Sequence, residues 1–195
     1  SMSRLITNAV RHTGASADSL TLDSGGGVTV PTGKFACPGT IIQVLQSLNN
    51  TITDYGASAS WRDISMSQAI TPVSASSKIL IQGTVTAGGT VPSGFGIGIQ
   101  ILRGSTVVPT APATDGQASA FAIHVTGSND DDCGSVSFSY IDSPSTTSAT
   151  TYKFQALGRD SSAFTINGSP DHSDDTNTNA RMRGQSTITL MEIAG

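Results

Sequence analysis

An all-β fold is predicted for this chain: an antiparallel sandwich of the jelly-roll kind, preceded by a short N-terminal attachment segment. Three observations carry that expectation. Residues 77–86, SKILIQGTVT, place Ile79, Ile81 and Val85 on one side of a period-two alternation and Lys78, Gln82, Thr84 and Thr86 on the other. The same alternation recurs from about residue 60 to the C-terminal end, with Gly, Pro, Asp and Ser clusters between the repeats. No stretch of ordinary helix length keeps a helical period, whereas β-branched Ile, Val and Thr suit the pleated backbone.

The first 36 residues differ from the rest of the chain and are read as a separate segment, with the main domain over residues 37–195. SRLITNAVRHTGAS has helix-compatible apolar spacing interrupted by Thr, Asn and Gly. Residues 19–22 and 28–30 read as a hairpin around Ser24-Gly25-Gly26-Gly27. A lone hairpin is marginal in water, so this segment is expected to dock on the main domain, another copy or a partner. From Thr40, TIIQVLQSL fits a strand or a short helix, and the strand is preferred. Residues 49–60 are a polar loop in which residues 51–55 pair briefly. Residues 61–68 alternate, with Ile64 and Met66 opposite Asp63, Ser65 and Ser67.

Beyond Gly88-Gly89, FGIGIQILR sets Phe95, Ile97, Ile99 and Ile101 on one face and Gly96 and Gly98 on the other. Alternate glycines in a strand imply that something approaches that face closely. Residues 104–117 read as a surface connection, residues 118–126 as a strand with Phe121, Ile123 and Val125 inward, and residues 129–134 as a turn. Val136, Phe138 and Tyr140 mark a strand, as do Tyr152, Phe154 and Ala156, then a shorter one at Phe164 and Ile166. Residues 168–184 lack apolar periodicity and form a loop. Residues 185–193 supply the last strand, giving eight or nine joined by polar connections.

The 195 residues suffice for one main core. Charged residues make up 12% and the formal net charge is -4, with no Lys/Arg cluster, so a phosphate backbone is not an expected partner. No apolar run approaches the ~20 residues that span a bilayer, and no signal-peptide pattern opens the chain. Cys37 and Cys133 are expected to be two thiols.

Several residues are candidates for chemistry. Asp130, Asp131 and Asp132, and Asp171, Asp174 and Asp175, offer oxygens for calcium, yet neither group has EF-hand spacing, so solvated surface carboxylates are the expectation and no metal or other cofactor is assigned. His124, on the strand face with Ala120, Ala122 and Thr126, would need copies from other subunits to hold a metal. His172 beside Asp171 and Asp174 resembles an acid-base pair, but no nucleophile elbow accompanies it. Glycoside hydrolysis needs two positioned acids, and the chain has one Glu, Glu192. The chain is therefore expected not to be an enzyme. Trp61 and Tyr55 flank a polar loop and present rings suited to stacking on a sugar, so the expected ligand-binding residues are Trp61, Tyr55, Asp171, His172 and Asp174.

Several phrases occur together: SRLITNAVRHTGAS and LTLDSGGGVTVPTG near the start, GTIIQVLQS, SSKILIQ, ILRGST, DSPSTTSATTYKFQ, and the closing STITLMEIAG. Their order resembles short tail-fibre and related virion proteins of marine tailed bacteriophages, including those infecting cyanobacteria. The resemblance implies a homotrimeric virion component, made in the bacterial host cytoplasm and located in the tail or fibre. Its N-terminal segment would attach to other virion proteins, and its sandwich would meet a host surface glycan or protein. No catalytic motif comes with it. A capsid or tail decoration protein is the alternative, and a polysaccharide depolymerase using Asp catalysts a third.

Overall fold

A computed structural model describes residues 7–30, 37–89, 95–109, 121–125, 133–170 and 183–195. In the N-terminal segment, β1 (Ala9–Val10), β2 (Leu20–Leu22) and β3 (Val28–Thr29) form a small antiparallel sheet. The expected hairpin is present. The helix-compatible stretch before it contains β1 instead, because a two-residue strand leaves no period to read. Asp23 shapes the hairpin turn by accepting the N–H groups of Gly25 (2.8 Å) and Gly27 (2.7 Å), and Gly26 takes a φ of 86°.

The main domain carries β4 (Ile41–Asn49), β5 (Thr53–Tyr55), β6 (Arg62–Ile70), β7 (Lys78–Gly88) and β8 (Phe95–Arg103). Next come β9 (Thr106–Val108), β10 (Phe121–Val125), β11 (Cys133–Asp142), β12 (Thr150–Gly158), β13 (Phe164–Ile166) and β14 (Ser186–Ile193). One sheet runs β4-β14-β7-β11, and past the end of β14 the same edge of β7 is taken by β13, which pairs with β5. The other runs β6-β12-β8-β10, with β9 also on β8. The pairs are nested: β4 with β14, β6 with β12, β7 with β11, β8 with β10, all antiparallel. A long antiparallel ribbon rolled up on itself gives this order, which is the jelly roll. Part of the connection expected at residues 104–117 is instead a tight turn at Gly104 (φ 58°) leading into β9.

Ile79, Ile81 and Val85 of β7 and Ile188 and Leu190 of β14 are fully buried, as are Ile99, Ile101, Tyr152 and Phe154 of the facing sheet. Gly83 continues the inward row of β7 where any side chain would collide with rings. Phe138 occupies the place of its missing Cβ, and Phe154 comes within 2.7 Å of it. The two rings meet edge to face at 5.0 Å, and Phe121 stacks on Phe138 at 4.6 Å. In β6 the pairing steps from Phe154↔Met66 to Gln155↔Asp63, leaving Ile64 and Ser65 as a bulge with Ser65 at a φ of 55°.

Three polar groups join the pieces. Asp142, at the end of β11, accepts two bonds from Arg103 Nη1 (3.0 and 2.8 Å) and one from the buried Tyr152 hydroxyl (2.6 Å), both on the opposite sheet. Burial, with this carboxylate beside it, pushes the Tyr152 phenol far above its ordinary value. Glu192 is fully buried on the inner face of β14 and accepts Gln43 Nε2 (2.6 Å) and the Val73 N–H (2.8 Å), anchoring the connection between β6 and β7. Burial by itself pushes its carboxyl up, but the hydrogen bonds from Gln43 and from the backbone of Val73 and Ser74 outweigh that and hold it below the usual range. Asn167, fully buried with a φ of 63°, donates to the carbonyls of Asn49 (3.1 Å) and Thr51 (2.9 Å) and accepts the Ser186 hydroxyl (2.6 Å).

Candidate functional site

β5 is too short to stand alone and is held by β13, with Tyr55 paired to Phe164 and Asp54 to Thr165. The rings of Tyr55 and Phe164 stack at 4.9 Å with 14° between planes. The Thr165 hydroxyl donates to Asp54 Oδ1 at 2.7 Å. Around these pairs lies a hollow of about 220 Å³ lined by Asp54, Tyr55, Gly56, Ala163, Phe164, Thr165 and Pro170. Its wall combines an aromatic ring, a carboxylate and a hydroxyl.

Burial pushes the Tyr55 phenol above its ordinary value, against a hydrogen bond with Ser65 and the charge of Arg62. Like an ordinary phenol, which titrates at about 10, it carries its proton at neutral pH, and burial moves it further from titration. The β6 bulge matters here, because it sets Ser65 in the left-handed region beside this phenol.

Of the residues singled out from sequence, Tyr55 lines the hollow. Trp61 lies at the other end of the same connection, half-buried directly before β6. Asp171, His172 and Asp174 fall outside the described residues, and so does Asp175; Pro170, which precedes them, lines the hollow. Asp130, Asp131 and Asp132 are also outside the described residues, and His124 sits in β10 in register with Gly96. Among the described residues no group of three His, Cys, Asp or Glu is placed to hold a metal ion. Gly96 itself is buried and Gly98 half-buried. Cys37 and Cys133 are not bridged to each other. Sequence reading did not single out Asp54, Phe164 or Thr165 for the site. Phe164 reads there only as strand core, and nothing local to β5 announces its partner so far along the chain.

A second feature lies on the outer face of the β4-β14-β7-β11 sheet. Register aligns Val44, Met191, Leu80 and Ile141 in one row across all four strands. Val44 is 53% exposed and Ile141 52%. The next row, Gln46, Thr189, Gln82 and Ser139, is uncharged, as is the one beyond it, Leu48, Thr187, Thr84 and Ser137.

No protein-family model matches this chain, and no curated protein matches it. Among solved structures, one of infectious bursal disease virus, strain Gx, is similar with a TM-score of 0.39 and 13% sequence identity. The match covers 96% of this chain and 43% of that one, so this chain spans less than half of its length.

Proposed function

We propose that this protein is a non-enzymatic virion component of a tailed phage, a tail-fibre or receptor-binding protein that recognises a host-surface glycan. The observation that carries the reading is the Tyr55 hollow, where a ring stacked on Phe164 adjoins the Asp54 carboxylate and Thr165 hydroxyl on one end of a rigid sandwich. A sugar has an apolar ring face and a fringe of hydroxyls, and this wall offers a surface for each. The ordered sequence phrases of the phage proteins support the virion setting, and with them comes an arrangement of three copies that would sum weak contacts. In the N-terminal segment Val10 is 45% exposed and Val28 59%, which suits attachment to another virion protein.

Labelled protein is expected to bind susceptible cells and to select particular glycans on an array. Asp54→Asn, which keeps the shape and the Thr165 bond, should weaken that binding at least tenfold without moving the melting temperature by more than a few degrees. Failure of the unaltered protein to bind any susceptible cell or its glycans would overturn the proposal. A structural decoration or connector role is the second reading, favoured by the exposed apolar row on the outer sheet face. Virions lacking the protein would then adsorb normally but assemble poorly.

A further inference from the structure

β4 pairs with β14 on one side, and among the described residues no strand pairs with its other side. In an antiparallel strand about half of the backbone N–H and C=O groups point away from any one neighbour, so an open edge is a template for another strand. Proteins normally blunt such edges with charge, proline or distortion. The edge of the facing sheet, β6, is blunted in this way by Arg62, Asp63 and the bulge at Ile64 and Ser65. β4, IIQVLQSLN, has no charged residue and no proline over nine residues. Its register shift is confined to its start, opposite Glu192 and Ile193.

The outward side chains along β4 run Val44, Gln46, Leu48, with Val44 53% and Leu48 55% exposed. We propose that β4 pairs antiparallel with β4 of a second copy of this chain, about a two-fold axis at Gln46. That register sets Val44 against Leu48 of the second copy and, by symmetry, Leu48 against its Val44, with the two Gln46 side chains facing each other. It also runs the apolar row Val44, Met191, Leu80 and Ile141 of each copy on into Leu48 of the other, with the two Gln46 rows between them. Nine residues at ~3.4 Å make an edge about 30 Å long, and the side wall of two sheets ~10 Å apart is about 20 Å deep with its side chains. Contact over that wall buries about 600 Å² per copy, or about 1,200 Å² in total, above the ~1,000 Å² that a stable interface needs.

A two-fold contact agrees with the three copies that the phage resemblance implies only where it joins two such sets into six chains, and this inference does not depend on glycan binding. The full chain is expected to show the mass of two chains, or an even multiple, in sedimentation equilibrium at micromolar concentration. Val44→Lys and Leu48→Lys should each halve that mass with unchanged circular dichroism and melting, since both side chains lie outside the core. With Cys37 and Cys133 replaced by Ser, Gln46→Cys should be captured as a disulfide-linked pair under mild oxidation, while Thr189→Cys, one strand inward, should not. A mass of one or three chains, or a two-chain mass that survives both lysine variants, would overturn the pairing. A one-chain mass with β4 amides protected from hydrogen exchange would assign the edge to this chain's own residues and equally overturn it.

Discussion

Replacing Asp142 by Ala removes the acceptor that ties the two sheets together at one end of the sandwich. Two partners lose it, and they differ in what happens next. The Tyr152 hydroxyl is fully buried and bonded to Asp142 at 2.6 Å, so it is stranded without water, at a cost of about 1–3 kcal/mol. The Arg103 side chain is 31% exposed and turns to solvent, so its share is about 0.5 kcal/mol. With the small void left by the carboxyl, the total is about 3 kcal/mol. In a chain of 195 residues this lowers the melting temperature by about 6–12 °C. Tyr152→Phe leaves Asp142 with Arg103 and costs about 1 kcal/mol. The double variant has no stranded hydroxyl, so it should be more stable than the sum of the single losses predicts, by at least about 1 kcal/mol. Urea unfolding followed through the fluorescence of Trp61, the one tryptophan, measures all four proteins. If Asp142→Ala stays within about 0.5 kcal/mol of the parent, or the two losses simply add, the cluster is not the joint described.

Three further outcomes are expected. Glu192 binds its proton less readily when folded than when unfolded, so it stabilises the fold above the ordinary carboxylate range and loses that effect as pH falls through its lowered value. Glu192→Gln should therefore cost about 1–2 kcal/mol at neutral pH and flatten the acid arm of a stability-pH curve; superimposable acid arms would refute it. Gly83→Ala forces a methyl group against Phe138 and Phe154 and should destabilise by about 1–3 kcal/mol in thermal melts, accompanied by altered aromatic near-ultraviolet circular dichroism. Asn167→Ala, at a left-handed position, takes away the acceptor of the Ser186 hydroxyl proton and the donor to two carbonyls, which should cost about 2–4 kcal/mol in urea unfolding.

The alternation of Ile79, Ile81 and Val85 was enough to place β7 at the centre of a sheet, and the same rule located β6, β11, β12 and β14. It worked because each of these strands buries one face along most of its length. The rule is blind to what interrupts it. Leu80 breaks the alternation outward, and only the register with Val44, Met191 and Ile141 turns a local exception into an apolar row. Glu192 occupies an inward position beside Leu190, where alternation leads one to expect an apolar residue; the donors that make it tolerable come from β4 and from the connection after β6. β1 has two residues and no period. At the candidate site, an aromatic residue in a polar loop was a visible signal for Tyr55. Its partner Phe164 became recognisable only once β5 and β13 were paired.

The nested order of the strands also bears on how the chain comes to be folded. β14 lies between β4 and β7, yet among the described strands it comes last in chain order. Until then β4 has no neighbour within its sheet, and an uncharged aliphatic strand waits with both edges open while well over a hundred residues are still being added. Closure depends on contacts between distant parts of the chain, which form slowly and leave time for the wrong strand to dock. Assembly of the larger sheet thus waits for β14, and the interval before β14 arrives is when nascent chains are most exposed to aggregation through β4.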